Sequence, residues 1–589
     1  MSAEQPARTV DVRLPAARTA EPGVPSAPPA PHRRGFVARA FGVTALLSAA
    51  GSALGLLRDL LLARFFGANQ GTDAFLVAWT VPETAAPLLI EDAMAFLMVP
   101  AFSLALVLRE ENPEGPDPVR QLVKATLPWL LAALCALSLG AVVGAPQLVD
   151  LLAPGLPDPG LAVTCTRITA LTILPFGVAG YLGSALRAHH AFTAPAGIYV
   201  VYNVGILAVL LSCHAIWGVR SSAVGVAVGS LLMAGLLAGP FTRRLRAGRQ
   251  PGGARGGPQP GGPPAGAPTA PTGRRLVLIP LAILPVAAFT LTRQAQVFIE
   301  RYLGSSLPPG TISHLNYAAK VSQLAMTAAI LICTVTFPLV ARALAAGDLR
   351  AARDRVEKDL GQAAAVVLVG TAFLMACAPS VVALLFERGA FGPQDTAATA
   401  AVIRVYSVGL PAQALIGVMV RPYFSVRPVV RRAEEPGSDD AGRRLLDWYP
   451  AAAMVLGLGV TVAVGLLAVP VYGALGLAAG NAAGITATAA LLLRGLLLRG
   501  IAVRVPRVLG GQARLLAAAF GATAAGALAA AVPADPLLST LLGGVTVAVV
   551  FAALGTAFGA AEVRGPALSL VRALSPSPTA DEGKLPHGR

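Results

Sequence analysis

Four ionisable residues interrupt an otherwise apolar stretch near the start of the chain. Residues 55–79 read GLLRDLLLARFFGANQGTDAFLVAW and include Arg58, Asp59, Arg64 and Asp73. An ionised side chain inside a membrane span is costly unless it is paired or faces water. Arginine also offers a planar set of donors that suits anionic oxygens. The stretch therefore predicts a wet surface within a membrane that either binds an anion or holds ion pairs.

Each of these four residues has two interpretations. Arg58 lies several residues inside a span, where it contacts a substrate or gate, or forms a structural ion pair. Asp59 follows at about 100° around the helix, so we expect it to meet a partner on another helix or to act in a gate. Arg64 lies near the helix end and either belongs to the site or extends to the membrane surface. Asp73 begins the next helix, where an acid suits the N-terminus or pairs with a gating arginine.

Charged residues recur in the second half of the chain. Arg293, Glu300 and Arg301 have i,i+7 and i,i+8 spacings and share roughly one helical face, as an internal salt-bridge set or a binding stripe. Lys320 is isolated in an apolar run, which favours a functional role. The weaker candidates are Glu83, Glu91, Asp92, Arg167 and Arg404.

Composition indicates an all-α integral membrane protein. Of the 589 residues, 55% are hydrophobic and 13% are charged, and the mean hydropathy is +0.67. Soluble domains carry about 25% charged residues. The apolar runs last about 20 residues, as helical spans do, rather than alternating over about ten as in a barrel. The net charge of +16 is explained by basic cytoplasmic loops and not by a nucleic-acid partner.

No catalytic, metal or cofactor site is predicted. The five cysteines all lie in apolar runs without a CxxC pair, which is typical of small buried hydrophobes. The chain has no GxxxxGK[ST] loop, no HExxH and no GxSxG in a suitable setting, so we expect a protein that is not an enzyme.

The apolar runs predict about fourteen spans, some of them tilted or broken. Pro82, Pro87 and Pro100 in the second span and Pro175 in the fourth are expected kink points. The predicted spans are residues 38–66, 72–107, 121–144, 161–186, 192–216, 220–242, 275–303, 311–341, 360–385, 397–423, 447–469, 471–498, 508–532 and 537–560.

Loop charges predict the orientation. The loops after even-numbered spans are rich in arginine, whereas the loops GANQG, GSSLPPG and AVPADP after odd-numbered spans are nearly free of charge. By the positive-inside rule, both termini are cytoplasmic in the cell membrane. Residues 1–36 and 561–589 then form cytoplasmic tails, and the first of these is predicted to be disordered.

A weak internal repeat predicts two lobes. ARFFG at 63–67 matches ERYLG at 300–304, and Pro100 and Pro338 follow at similar distances. Six spans separate the repeats, so they share one orientation. The predicted domains are an N-lobe at 37–246, a flexible Gly/Pro-rich linker at 247–273, a C-lobe at 274–498 and two extra helices at 505–560.

Five segments carry a family resemblance from about Gly55 to Leu498. They are RDLLLARFFGANQGTDAFLVA, AFTAPAGIYVVYN, LLFERGAFGPQDT, YSVGLPAQALIGVMVRPYFS and PVYGALGLA, in the order of the family. On these motifs the chain resembles the MviN/MurJ lipid II flippases of the MOP exporter superfamily. The resemblance implies a MATE-like, V-shaped bundle that moves a lipid-linked peptidoglycan precursor by alternating access. It also implies that the two extra helices form a groove for the isoprenoid tail.

The resemblance carries site residues with it. Arg58, Asp59, Arg64, Asp73, Glu91 and Glu300 match charged positions of the family's pattern, and Lys320 stands where the family has an arginine. Ala53, Ala86 and Pro87 occupy positions where the family has further arginines. The chain is therefore expected to be a divergent member with fewer cavity cations.

The favoured hypothesis is a flippase for undecaprenyl-pyrophosphate-linked precursor. The alternatives are an exporter of another lipid-linked glycan or amphiphile, and a non-transporting scaffold. No cofactor is expected. The energy for transport would come from a coupling ion, from the membrane potential or from consumption of the product. The expected partners are the membrane, the precursor and cell-wall synthesis or division proteins.

Overall fold

The computed structural model describes residues 31–111, 115–247, 273–326, 348–424, 440–499 and 501–564, which form helices and connecting loops without a strand. The predicted first tail overlaps a helix, because α1 begins at Pro31. Most of the predicted linker, the second half of the eighth span and most of the final tail lie outside the described residues.

Ten α-helices and one π-helical turn form the N-terminal half. They are α1 (Pro31–Phe66), α2 (Gln70–Ala86), the π turn (Pro87–Asp92), α3 (Ala93–Glu111), α4 (Pro118–Val143), α5 (Ala145–Leu152), α6 (Pro159–Ala170), α7 (Ile173–Ala188), α8 (Thr193–Ala196), α9 (Ile198–Trp217) and α10 (Arg220–Ala247).

Ten further helices form the C-terminal half. They are α11 (Gly273–Gly304), α12 (residues 311–326), α13 (Leu349–Phe386), α14 (Pro393–Ser407), α15 (Leu410–Met419), α16 (Arg421–Phe424), α17 (Asp440–Tyr472), α18 (Ala474–Leu498), α19 (Val505–Ala530) and α20 (Pro536–Ala557).

The helices confirm a multi-pass membrane architecture. Within the described ranges, 11 helices are long and apolar enough to cross a membrane, or 12 with the bent pair Pro393–Ser407 and Leu410–Tyr423. The seventh and eighth predicted spans are helical where described but are not among these. The seventh, α11, carries three ionisable residues between positions 293 and 301, and only the first half of the eighth is described.

Proline breaks two of the spans near the predicted points. The second predicted span changes to a π turn at Pro87. The fourth divides between Ala170 and Ile173, just before Pro175. Proline lacks the N–H that the preceding turn needs, so helical hydrogen bonding is interrupted at such positions.

Each half has its own apolar core. In the N-terminal half, Phe102 and Phe176 pack in one cluster with Tyr181. In the C-terminal half, Tyr317, Phe386 and Phe391 pack together, and this cluster extends through α13 to α19 and α20. The two last helices therefore pack against the C-terminal half through α13.

Loops of the two halves meet at one end of the bundle, here called the loop end. It comprises residues 67–69, 153–158, 305–310 and 387–392. Gly67 has φ of +69° and Gly310 has φ of +92°, conformations that favour glycine. A Cβ at either position would lie 2.6 Å from a carbonyl oxygen, that of Ala390 or of Ala68 respectively. The halves are thus tightly closed together at the loop end.

Candidate functional site

A cavity of about 470 Å³ lies between the two halves, on the side of the cross-half contacts away from the loop end. Helices α1, α2 and α9 supply most of its wall, and α12 supplies a lysine. Its lining residues are Ser48, Gly51, Ser52, Gly55, Arg58, Trp79, Pro82, Glu83, Ala86, Phe176, Tyr199, Tyr202, Asn203 and Lys320.

Arg58 is held in this cavity by three neighbours. Its Nε and Nη2 donate to Asp59 Oδ1 at 3.0 and 2.8 Å. Its Nη1 lies 3.5 Å from Asn203 Oδ1, and the guanidinium carbon lies 4.4 Å from the centre of the Trp79 ring. Asp59 therefore pairs with the adjacent residue rather than with a partner on another helix as expected, because the long arginine side chain lets its guanidinium reach both Asp59 and the neighbouring helices.

Glu83 joins the two halves inside the membrane region. Its carboxylate lies 3.9 Å from Arg301 Nη2 and 3.8 Å from Lys320 Nζ. Arg301 is only 3% exposed, so its charge depends on such partners. Both separations exceed ordinary hydrogen-bond length, so these groups attract one another without being locked together.

The cluster carries more positive than negative charge. The charged side chains that line the cavity are Arg58 and Lys320, which give +2, and Glu83, which gives −1, so the net charge of the lining is +1. An excess cation in a confined, partly dry space attracts anions more strongly than the same charge in bulk water.

Asp73 makes a separate cross-half contact at the loop end. Its Oδ2 accepts from Gly310 N at 2.6 Å, and its Oδ1 accepts from Ser313 N and Ser313 Oγ at 2.7 and 2.6 Å. The carboxylate thus caps the first turn of α12. Asp73 was expected either to cap the N-terminus of its own helix or to pair with an arginine. It does cap a helix N-terminus, but that of α12 in the other half, whereas α2 is capped by Asn69.

The three residues predicted to form a stripe on α11, Arg293, Glu300 and Arg301, lie in three different environments. Glu300 points into the C-terminal half, where it accepts from Gln296 Nε2, Tyr406 Oη and Asn481 Nδ2 at 3.2, 3.0 and 2.7 Å. Arg301 faces Glu83 instead, and Arg293 is exposed. The expectation of one shared face is wrong because adjacent residues on a helix point about 100° apart.

The other predicted residues lie away from the cavity charges. Arg64 is exposed at the end of α1, and its backbone oxygen accepts from Ala390 N at 2.8 Å. Glu91 is exposed in the π turn and accepts a short hydrogen bond from Tyr199 Oη. Tyr199, a residue of the cavity wall, thus connects Glu91 to the cavity.

Some site residues were underrated or missed from the sequence. Glu83 was only a weak candidate from the sequence, because a single acid in an apolar run does not show which cations of the other half it meets. Trp79 and Asn203 are ordinary residues in apolar runs, so their contacts with Arg58 had no sequence signal. Ala86 lines the cavity, so the position where the family resemblance implies an arginine carries no charge there.

Two helical halves, closed together at one end beside a charged cavity, define a multi-pass membrane protein that shares the fold of solved MOP-superfamily transporters. The structure aligns with "Lipid II flippase MurJ, inward closed conformation" at a TM-score of 0.63 and 16% identity, over 87% of this chain and 98% of that one. An inward-facing MATE multidrug transporter of the MOP superfamily aligns at 0.57 and 12% identity, over 78% and 98%.

The family is shown by the sequence comparison. The profile described as "Lipid II flippase MurJ" matches residues 62–431, and the chain belongs to this family. A "Probable lipid II flippase MurJ" of Rhizobium meliloti is 28% identical over 542 residues, 88% of this chain and 92% of the relative. A "Lipid II flippase MurJ" of Burkholderia cenocepacia is 28% identical over 421 residues, 65% and 73% of the two chains.

Proposed function

We propose that this chain is a flippase that moves undecaprenyl-pyrophosphate-linked peptidoglycan precursor, lipid II, across the cytoplasmic membrane by alternating access. The observation that carries the proposal is the cavity with net positive charge between two halves that are closed at the loop end. The relatives named lipid II flippases support the same cargo.

The cavity chemistry suits a pyrophosphate. Arg58 offers a guanidinium and Lys320 an ammonium, and both line the cavity. Glu83 holds Lys320 and Arg301 at distances beyond hydrogen bonding. An anionic head group entering the cavity would compete with Glu83 for these cations, which loosens the contact between the halves. Substrate binding would thereby favour the change to the opposite-facing state.

The direction of transport follows from the charges of the loops. With the loops that carry little charge outside and both termini in the cytoplasm, the loop end is exterior and the cavity opens to the cytoplasmic side. This is the side from which a cytoplasmically made precursor is loaded. No cofactor is needed, because one elementary charge moving through the membrane potential gains about 2.3 kcal/mol per 100 mV. A coupling ion or removal of the product would act in the same direction.

A second cargo class is favoured by one observation. Ala86 faces the cavity where the family resemblance places an arginine, which leaves fewer donors for a pyrophosphate. Another lipid-linked glycan or amphiphile with a less charged head group is therefore the alternative cargo. The protein partners that fit the first cargo are cell-wall synthesis or division proteins.

The test is complementation of a bacterium depleted of its own lipid II flippase. We expect the wild-type chain to restore growth, and Arg58→Ala and Lys320→Ala to fail at matched expression. Arg514→Ala and Lys124→Ala replace exposed residues of the same types on α19 and α4 and should complement.

The complementation results test the cargo and the residue roles separately. A wild-type chain that reaches the membrane without rescuing growth would contradict lipid II as cargo and favour the alternative. Rescue by all variants would contradict the roles of Arg58 and Lys320.

A further inference from the structure

A second, almost wholly apolar space lies between the two halves, here called the outer crevice. It has a volume of about 590 Å³. Val81 and Thr84 of α2 and Leu151 of α5 form the N-terminal wall, and Phe298 of α11 and Leu466 of α17 belong to the opposite wall. The crevice is open on the outer surface, where Leu151 and Leu466 are 70% and 57% exposed.

The crevice is separate from the charged cavity. Val81 and Thr84 lie on the face of α2 opposite to Pro82, Ala86 and the cavity. The contact between Glu83 and Arg301 joins α2 to α11 between the two spaces. A substrate chain attached to a head group in the cavity would have to cross this ionic contact to enter the crevice.

Water is a poor occupant for this space. A buried water needs two to four polar partners. The hydroxyl of Thr84 is already used within α2, where it donates to Thr80 O at 2.8 Å and lies 3.1 Å from Val81 O. The remaining lining is aliphatic or aromatic apart from the hydroxyl of Tyr302. Since α2 and α17 in its walls are span helices and the crevice opens between them, its apolar lining suits hydrocarbon rather than water.

The crevice lies in the half of the membrane next to the loop end. Phe298 and Leu303 are in the last two turns of α11, and α5 is followed directly by a loop of the loop end. Val81 is about 16 Å along α2 from Gln70, by the helical rise, which is about half of a bilayer core. The crevice is therefore within reach of lipids of the leaflet at the loop end.

We propose that the outer crevice is a binding site for an acyl chain of a bilayer phospholipid from the leaflet at the loop end. Its walls come from both halves, so a chain seated there fills the space between them and stabilises the arrangement closed at the loop end. This lipid site is distinct from the substrate-binding cavity. The proposal does not depend on which cargo the protein moves.

The test uses a phospholipid with a photoreactive diazirine on its acyl chain. The full chain is reconstituted in vesicles of phosphatidylethanolamine and phosphatidylglycerol, irradiated, digested and mapped by mass spectrometry. We expect labels to concentrate on α2, α5, α11 and α17. Leu466→Trp and Leu151→Trp fill the crevice from opposite halves and should each lower this labelling about tenfold, equivalent to about 1.4 kcal/mol of binding.

The matched control is Leu467→Trp, which adds the same side chain one residue away at a position that is 80% exposed and outside the crevice. Equal labelling in this control and in both crevice variants would overturn the proposal. If one crevice variant misfolds, the comparison with the other crevice variant decides. Preferential labelling of the same segments by a polyprenyl diazirine over the phospholipid would also overturn it, by assigning the crevice to the substrate tail.

Discussion

The most consequential single residue is Glu83, because one carboxylate serves two cations of the other half. Arg301 also has Ile312 O at 3.4 Å and Asn316 Oδ1 at 3.5 Å as weak acceptors. The carboxylates of Asp73 and Glu300 lie close enough to interact with its charge. An acid in this position allows the site to keep buried positive charge before any anion is bound.

Glu83→Gln should therefore destabilise the protein and impair function. The substitution keeps the size of the side chain but raises the net charge of the cluster from +1 to +2 and removes the carboxylate that lies 3.9 Å from Arg301. A lost partner of a buried charged group costs about 1–3 kcal/mol or more. We expect a lower Tm by thermal shift in detergent and loss of complementation.

The control for this variant is Glu110→Gln, which neutralises an exposed glutamate near the end of α3. An unchanged Tm in Glu83→Gln relative to this control would mean that Arg301 is compensated by other groups, and that the shared acid is not needed for stability.

At the scale of elements, the break in the second span is supported by close packing. Gly180 of α7 lies against the carbonyl of Leu89 in the π turn, and a Cβ at residue 180 would overlap that oxygen. Irregular turns of this kind within helices are frequent at functional sites. Here the turn follows the cavity residues Glu83 and Ala86 directly.

Gly180→Ala should lower stability although alanine is the better helix former. Since the overlapping atom is backbone, the π turn or α7 must shift, at a cost of about 1–3 kcal/mol for overpacking. Gly235→Ala in α10 is the matched control, because a Cβ there meets nothing within 4 Å. We expect Tm to fall for Gly180→Ala and not for Gly235→Ala. Equal Tm values would show that the π turn adapts without cost.

Elements were more predictable from the sequence than contacts. Apolar runs of span length and their prolines indicate the helices and the breaks at Pro87 and Pro175, because these depend on local residues. The capping of α12 by Asp73 joins residues 240 apart, and no local pattern encodes it. The pairing of Asp59 with Arg58 was missed because backbone angles alone do not describe a long, flexible side chain.

At the scale of the whole molecule, two sets of contacts hold the halves together. The loop end contributes hydrogen bonds from Gly310, Ser313 and Gly155, and the membrane interior contributes the looser charges around Glu83. An alternating cycle requires that both sets open and re-form. The tighter set is at the loop end, so we expect it to dominate the stability of this closed arrangement.

Asp73→Asn should open the loop end. The amide keeps the shape but loses the charge that three donors share, and hydrogen bonds to charged groups contribute about 1.5–3 kcal/mol each. The measurement is maleimide labelling of Ser305→Cys in a chain whose five native cysteines are replaced. Ser305 is 3% exposed and accepts from Gly155 N across the halves at 3.1 Å, so its cysteine should react slowly when the end is closed.

We expect Asp73→Asn to raise this labelling rate about tenfold, which corresponds to a shift of about 1.4 kcal/mol in the opening equilibrium. Asp158→Asn is the matched control, because Asp158 caps α6 within its own half by accepting from Gly160 N at 3.1 Å. That substitution weakens a cap without removing a contact between halves, so the rate should stay near wild type. If both variants label alike, Asp73 does not hold the loop end closed, and the closure rests on the glycine-mediated approach of Gly67 and Gly310 to the opposite loops.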